Sequence, residues 1–260
     1  MNALDTLSYT NRLRHLPPWQ KLLFGAGSLL LALGSHPPVQ LAIAGWLSFW
    51  TVHYAGVPAH LYRRVLLGIM AFLATSLPVL ILNLADHLPA DAVWGIPLAN
   101  WQLYLSHRGL AQASEIFCRS LASTACLLFI AFTIPLIELS LLFARLGCPA
   151  ILVELLLLAY RFIFLLTDTV QRLLLAQTAR GGYRTRQLTL KSASLLIRGL
   201  LQRTVERYQQ LTLGVRARGF NHQFRFWQPQ LYRYSQRHMT EILAGWLGLL
   251  TGELLTRIYG

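Results

Sequence analysis

Hydrophobic residues in this chain gather into long blocks, bounded by prolines and arginines rather than interleaved with polar positions. A helix needs about 20 apolar residues to cross the hydrocarbon core of a bilayer. Five blocks approach that length. Residues 19–34 form the first, which Pro37 and Pro38 end. Residues 39–57 lie between those prolines and Pro58. Arg63 and Arg64 precede the third block, 65–85, which Pro78 is expected to kink. Residues 116–137 form the fourth, with Pro135 near its end, and residues 239–258 the fifth. The pattern predicts an all-α, polytopic membrane protein with about five transmembrane helices.

Cytoplasmic segments retain Lys and Arg, and this orients the blocks. Arg12, Arg14 and Lys21 put the N-terminus inside, and Arg63 and Arg64 put the second connection inside. Four crossings return the chain to the cytoplasm near Glu138. Residues 86–113 then form the main external loop. Its Trp94, Trp101 and Tyr104 read as interface aromatics, and Pro89, Gly95 and Pro97 oppose helix. One further apolar stretch, 151–167, is long enough to cross, but crossing would carry the basic region after it outside. Glu154, Arg161 and Asp168 recur every seven residues on one helical face, and Arg172 stands at ion-pair spacing from Asp168. An apolar helix with one charged stripe suits the membrane surface or a protein–protein seam. The stretch is therefore expected not to span; the other reading is a sixth span with its polar face turned into a bundle.

Two long helices follow. One is expected to open at Pro149, run to Arg180 and stop at Gly181-Gly182. At about 32 residues it would be ~48 Å long, more than the ~30 Å hydrocarbon core. The second is expected over 190–218, stopping at Gly219. Its Ala193, Leu196, Leu200, Thr204, Tyr208, Leu211 and Val215 step by three and four, which makes one packing stripe. Arg198, Arg203 and Arg207 lie off that stripe. The expected organisation is a four-helix membrane domain (1–137), a cytoplasmic region (138–237) and a C-terminal transmembrane helix (238–260).

Composition strengthens the membrane reading over a soluble all-helical domain. The chain is 55% hydrophobic and 13% charged, against about 25% charged in soluble domains, and its mean hydropathy is +0.46. Net charge is +13, and Lys21 and Lys191 are the only lysines. From Arg161 to Arg237, thirteen arginines and one lysine stand against Asp168 and Glu206, +12 in 77 residues. Such a block could bind nucleic acid. Retention in the cytoplasm explains it more simply, and no nucleic-acid partner is expected. Cys118, Cys126 and Cys148 show no paired spacing, so neither a disulfide nor a zinc site is expected. Asp5, Arg12, Arg14 and His15 ahead of the first block do not read as a cleavable signal peptide.

The tripeptide Ala-Arg-Gly occurs at Ala179-Arg180-Gly181 and again at Ala217-Arg218-Gly219, each time at an expected helix end. The alanine allows close approach of another backbone, and the glycine can take the left-handed cap conformation. The arginine can serve the helix's own last carbonyls or reach a carboxylate with its planar fork. One copy alone reads as a capping arginine. Two copies on parallel constructions read as a docking device.

The paired motif resembles the transmembrane (T) component of energy-coupling factor (ECF) transporters. The similarity includes Thr178-Ala179-Arg180-Gly181-Gly182-Tyr183-Arg184 and Val215-Arg216-Ala217-Arg218-Gly219-Phe220. It extends to Pro149 through Tyr160-Arg161-Phe162, and to the Asp5-Thr6-Leu7-Ser8-Tyr9 opening followed by Arg12-Leu13. The Gly-Gly-Tyr-Arg continuation and the Leu-Val-Glu-Leu-Leu-Leu-Leu run resemble the cobalt branch, the CbiQ type. The resemblance implies long cytoplasmic coupling helices whose ends sit in grooves on a pair of ABC ATPases (CbiO-like). It implies a substrate-binding membrane subunit (CbiM-like) on the other side, and leaves open a small accessory membrane subunit (CbiN-like). By carry-over, Arg180 and Arg218 engage the ATPases, and Ala179, Gly181, Ala217 and Gly219 shape the two ends. No cofactor is implied, and the location is the cell's inner membrane.

A Walker A loop needs Gly-Lys-Ser/Thr, but Lys21 follows Gln20 and Lys191 follows Leu190. ATP hydrolysis is therefore expected from a partner, not from this chain. His53 and His60 are seven apart, and His36, His87 and His107 form no metal spacing, which disfavours a membrane-embedded metalloenzyme. An ordinary ABC permease subunit remains a second reading, as does a T component for nickel or a vitamin.

Overall fold

Prolines mark several helix starts, because a first-turn residue needs no backbone donor. The computed structural model describes residues 3–85, 92–98, 101–219, 232 and 235–259. After α1 (Ala3–Thr10), α2 (Pro18–Gly34) opens on Pro18 and α3 (Pro37–Phe49) on Pro37. A π-type turn, Trp50–Tyr54, extends α3. Further α-helices among the described residues are α4 (Ala59–Ile81), α5 (His107–Thr133), α6 (Leu136–Arg145), α7 (Ala150–Ala179), α8 (Arg186–Ala217) and α9 (Gln236–Tyr259). The chain divides into two compact units. One joins Asn2–Glu138 to Gln230–Gly260, and the other is Leu139–Pro229.

In the first unit α5 packs against α1, α2, α3 and α4. Its buried Ala122, Ala125 and Cys126 are small and spaced by three and one, so neighbouring helices come close. Phe24 of α2 centres an aromatic cluster, 5.0 Å from Trp46 and Trp50 and 5.1 Å from Phe129. Helix α9 lies against α2 and α3. Trp246 covers Gly27 and Trp46 covers Gly245, positions where any Cβ would collide with the indole. Trp246 Nε1 also donates to Ser28 Oγ at 3.1 Å. Glu253 serves the start of α3: it accepts from the His36 backbone N–H at 3.0 Å and lies 2.7 Å from His36 Nδ1.

Helices dominate, as the apolar blocks predict, but the third block ends as helix at Ile81 and its last four residues form β1 (Leu82–Ala85). With β2 (Ala92–Leu98) and β3 (Trp101–Ser106) it makes an antiparallel sheet in the order β1-β3-β2. The expected loop 86–113 thus holds two of the three strands and the first turns of α5. Trp94 lies on β2, and Trp101 and Tyr104 lie on β3, a run whose aromatic and aliphatic content favours strand. Pro97 stands on β2, an edge strand, where a missing donor is tolerated. Pro89 falls outside the described residues, as do Phe220, Arg225, Arg233 and Gly260.

The fourth block is not one helix. Helix α5 stops at Thr133, and α6 begins after Pro135. Among the described residues, three helices are long and apolar enough to cross a membrane: Ala59–Pro78, Gly109–Thr133 and Ala150–Ala179. At 17 and 13 residues, α2 and α3 fall short of the usual ~20. The most apolar of the three is α7, which contains the stretch expected not to span. That expectation therefore rests on charge, not on length or hydropathy.

The second unit is built on α7 and α8, which pack on each other. Helix α8 starts four residues before the expected 190, because Thr185 is its N-cap and its Oγ1 accepts from Leu188 N–H at 3.3 Å. Of the expected stripe, Leu196, Leu200, Thr204, Leu211 and Val215 are half-buried, whereas Ala193 and Tyr208 are exposed. On α7 the expected Asp168–Arg172 pair forms at 3.0 Å.

Candidate coupling site

Both Ala-Arg-Gly copies fold into the same helix ending. In each, the alanine is the last helical residue, the arginine is the C-cap and the glycine turns left-handed. Arg180 has φ −86° and ψ 7°, and Arg218 has φ −92° and ψ 12°. Gly181 has φ +71° and Gly219 has φ +69°. At the first copy the Gly181 N–H donates to Thr178 O at 3.0 Å and the Gly182 N–H to Gln177 O at 2.9 Å, the paired bonds of a Schellman motif. At the second, the Gly219 N–H donates to Arg216 O at 3.1 Å. Each arginine thereby sits where the helix dipole is negative.

Ala179, Arg180, Ala217, Arg218 and Gly219 are exposed, and Gly181 is half-buried. Neither guanidinium makes a hydrogen bond or ion pair with another described residue, so both forks are open to a partner. The first motif lies one short turn before α8 and the second closes α8. At 32 residues, α8 holds the two arginines apart by about 48 Å along its axis.

The first end is braced by residues that sequence reasoning did not single out. Gln177 Nε2 donates to Ser192 O at 3.1 Å, and Ser192 Oγ donates to Gly182 O at 2.8 Å. Tyr183 donates its hydroxyl to Gln177 Oε1 at 2.6 Å. A Cβ on Gly182 would stand 2.6 Å from Ser192 Oγ, so the α7 ending and the α8 start approach as only glycine allows. No local signal marks Gln177 or Ser192, because their contact joins residues 15 apart across a turn.

Arg198, Arg203 and Arg207 are exposed away from both endings. Arg203 and Arg207 line a groove of about 540 Å³ between α7 and α8, with Asp168, Arg172, Glu206 and Gln210. Among the described residues, no three His, Cys, Asp or Glu side chains group as a metal site. His53 packs on Phe49 and Tyr54, at 5.2 and 5.8 Å between rings.

The model of the CbiQ family, described as cobalt transport protein, matches residues 10–226. The chain belongs to the CbiQ family. Its relatives include the cobalt transport protein CbiQ of Rhodobacter capsulatus, 32% identical over 249 residues, 95% of this chain and 93% of that one. The CbiQ of Salmonella typhimurium is 30% identical over 217 residues, covering 82% and 94% of the two chains. A fused cobalt transport protein, CbiMQ, of Methanocorpusculum labreanum is 27% identical over 221 residues, 85% of this chain and 37% of the fused one. The match to the CbiQ model takes in both Ala-Arg-Gly copies and all of α7 and α8. Family membership and three bilayer-length apolar helices make the chain a membrane protein of the cobalt-transport family.

Proposed function

We propose that this CbiQ-family chain is the transmembrane coupling component of an ECF-type importer for cobalt. The observation that carries the reading is the pair of arginine caps with matching backbone geometry, Arg180 ending α7 one short turn before α8 and Arg218 ending α8. Two identical endings about one helix length apart suit two copies of one receptor, and a pair of ABC ATPase subunits offers two such grooves. Arg180 and Arg218 contact the ATPases, while Ala179, Gly181, Ala217 and Gly219 shape the ends that present them. The membrane unit then holds a CbiM-like substrate subunit. The relative in which CbiM and CbiQ names share one chain supports that pairing. The N-terminus and residues 138–237 face the cytoplasm, and Gly260 faces outside. ATP hydrolysis belongs to the partners, and the metal is cargo held by the substrate subunit. A nickel or vitamin importer would use the same coupling geometry, and uptake assays with each substrate separate these readings.

The test is co-expression with ABC ATPases and a CbiM-like subunit, followed by affinity purification. Arg180→Glu and Arg218→Glu should each weaken ATPase assembly or uncouple hydrolysis from uptake, and the double variant should be worse. Losing one side of a buried interfacial charge pair costs about 2–5 kcal/mol. Arg198→Glu and Arg203→Glu make the same charge change away from the endings. Equal damage from those two would mean general charge attraction and would end the two-point docking model.

A further inference from the structure

The first unit buries a lysine that the docking device does not use. Lys21 in the first turn of α2 is 3% exposed, and its Nζ donates to Thr133 O at 3.1 Å. Its ammonium stands 3.7 Å from Glu138 Oε2, and Glu138 is itself buried. Thr133 is the last residue of α5. Pro135, two residues on, has no N–H with which to continue the backbone ladder. The carbonyls left open there are taken by side chains. Asn11 Nδ2 donates to Phe132 O at 3.2 Å and to Thr133 O at 3.1 Å, beside the lysine. The α5–α6 break is therefore filled with fixed donors from the N-terminal segment.

The same cluster holds the returning chain. Tyr232 donates a hydrogen bond to the Glu138 carboxylate. Three residues on, Ser235 O accepts from the nearly fully buried Gln20 Nε2 at 3.1 Å. Glu138 is the last residue before the chain leaves this unit, and Gln230 is the first after it returns. Both covalent connections to Leu139–Pro229 are thus fastened at one place, by Lys21, Glu138 and Tyr232 on one side and Gln20 and Ser235 on the other.

We propose that Lys21 and Glu138 are positioning residues for energy coupling: their buried pair locks the α5–α6 joint and the returning chain at Tyr232 into one rigid node. Motion of the helices in 139–229 then reaches the membrane helices instead of being absorbed at a loose joint. This inference rests on the coupling-component reading. Among the described residues, a buried ion pair and four side-chain donors stand beside these connections.

The experiment uses the whole co-expressed complex in proteoliposomes, measuring cobalt uptake and ATP hydrolysis on the same preparation. Lys21→Met and Glu138→Gln should lower uptake per ATP hydrolysed at least about tenfold in complexes that still co-purify with the ATPases, a loss equivalent to about 1.4 kcal/mol of coupling. Lys21→Arg, which keeps the charge and donors, should stay within about threefold of wild type. Tyr232→Phe removes one hydroxyl and should give an intermediate loss; it decides the matter if the first two variants fail to assemble. An unchanged ratio in assembled Lys21→Met and Glu138→Gln complexes, or in Tyr232→Phe where those do not assemble, overturns the node. A wild-type chain that binds no ATPase overturns the coupling-component reading and the node with it.

Discussion

Replacing Gly219 by alanine isolates the cap from everything else at the proposed coupling site. An alanine there must hold φ near +69°, at about 1–2 kcal/mol for a left-handed L-residue. No described atom lies within 4 Å of the new Cβ, so the whole effect is backbone strain. At 1.4 kcal/mol per tenfold, opening of the cap should rise about 5- to 30-fold. Helix ends fray with opening free energies near zero. For an end that starts half open, the docking-competent fraction falls about 3- to 15-fold, and the apparent affinity for the ATPases falls with it. Hydrogen exchange at the Gly219 amide, which donates to Arg216 O, reads the opening directly. Titration of the purified chain with ATPase subunits reads the affinity. Gly219→Asn should lose less on both measures, because asparagine tolerates the left-handed region. Gly181→Ala carries the same backbone strain at φ +71°, and its Cβ meets only the flexible Arg184 stem at 3.2 Å. Faster exchange at Gly219 with unchanged ATPase affinity would show that the cap does not present Arg218, and the site would have to be redrawn.

Gly182→Ala should lower the thermal midpoint of the detergent-solubilised protein. Its Cβ would stand 2.6 Å from Ser192 Oγ and 3.0 Å from Gln177 O, and overpacking of this kind costs about 1–3 kcal/mol. Ser192→Ala leaves Gly182 O without its side-chain donor and should cost about 1 kcal/mol by the same melt; no shift in either variant would mean the brace is not formed. A cysteine at position 210, in a background with Cys148→Ser, should react with an impermeant maleimide only after the cytoplasmic face is opened. Labelling in intact cells would place α7 across the membrane. The purified chain alone should hydrolyse no ATP, and turnover should appear with the co-expressed ATPases; activity from the clean single chain contradicts the proposed role.

Local chemistry was readable from the sequence because it acts over a few residues. Apolar blocks, proline starts and the repeated Ala-Arg-Gly set the helical class and located α7, α8 and their endings to within a few residues. The Asp168–Arg172 pair followed from helical spacing alone. Where two local signals competed, the reading slipped. Apolar content carried the third block four residues past the helix end at Ile81, and it masked the break that Pro135 makes between α5 and α6. Hydropathy also could not say what the edge-tolerant Pro97 and its aromatic neighbours would do, since a strand forms only when a partner strand pairs with it.

What the tertiary structure decided was which distant residues meet. Lys21 and Thr133 are 112 residues apart, and Gln20 and Ser235 are 215 apart. In the sequence Lys21 is one more charge supporting an inside N-terminus. Packed beside Glu138 and the open carbonyl of Thr133, it becomes the buried counter-charge of a joint. Likewise Ser192 and Gln177 look like ordinary helix-surface residues until the turn at Gly181-Gly182 folds one onto the other. Helix ends are fixed by backbone hydrogen bonds that close within six residues, so sequence specifies them. A buried polar contact forms only because burial strips water from both partners at once, and no single stretch of sequence carries that condition.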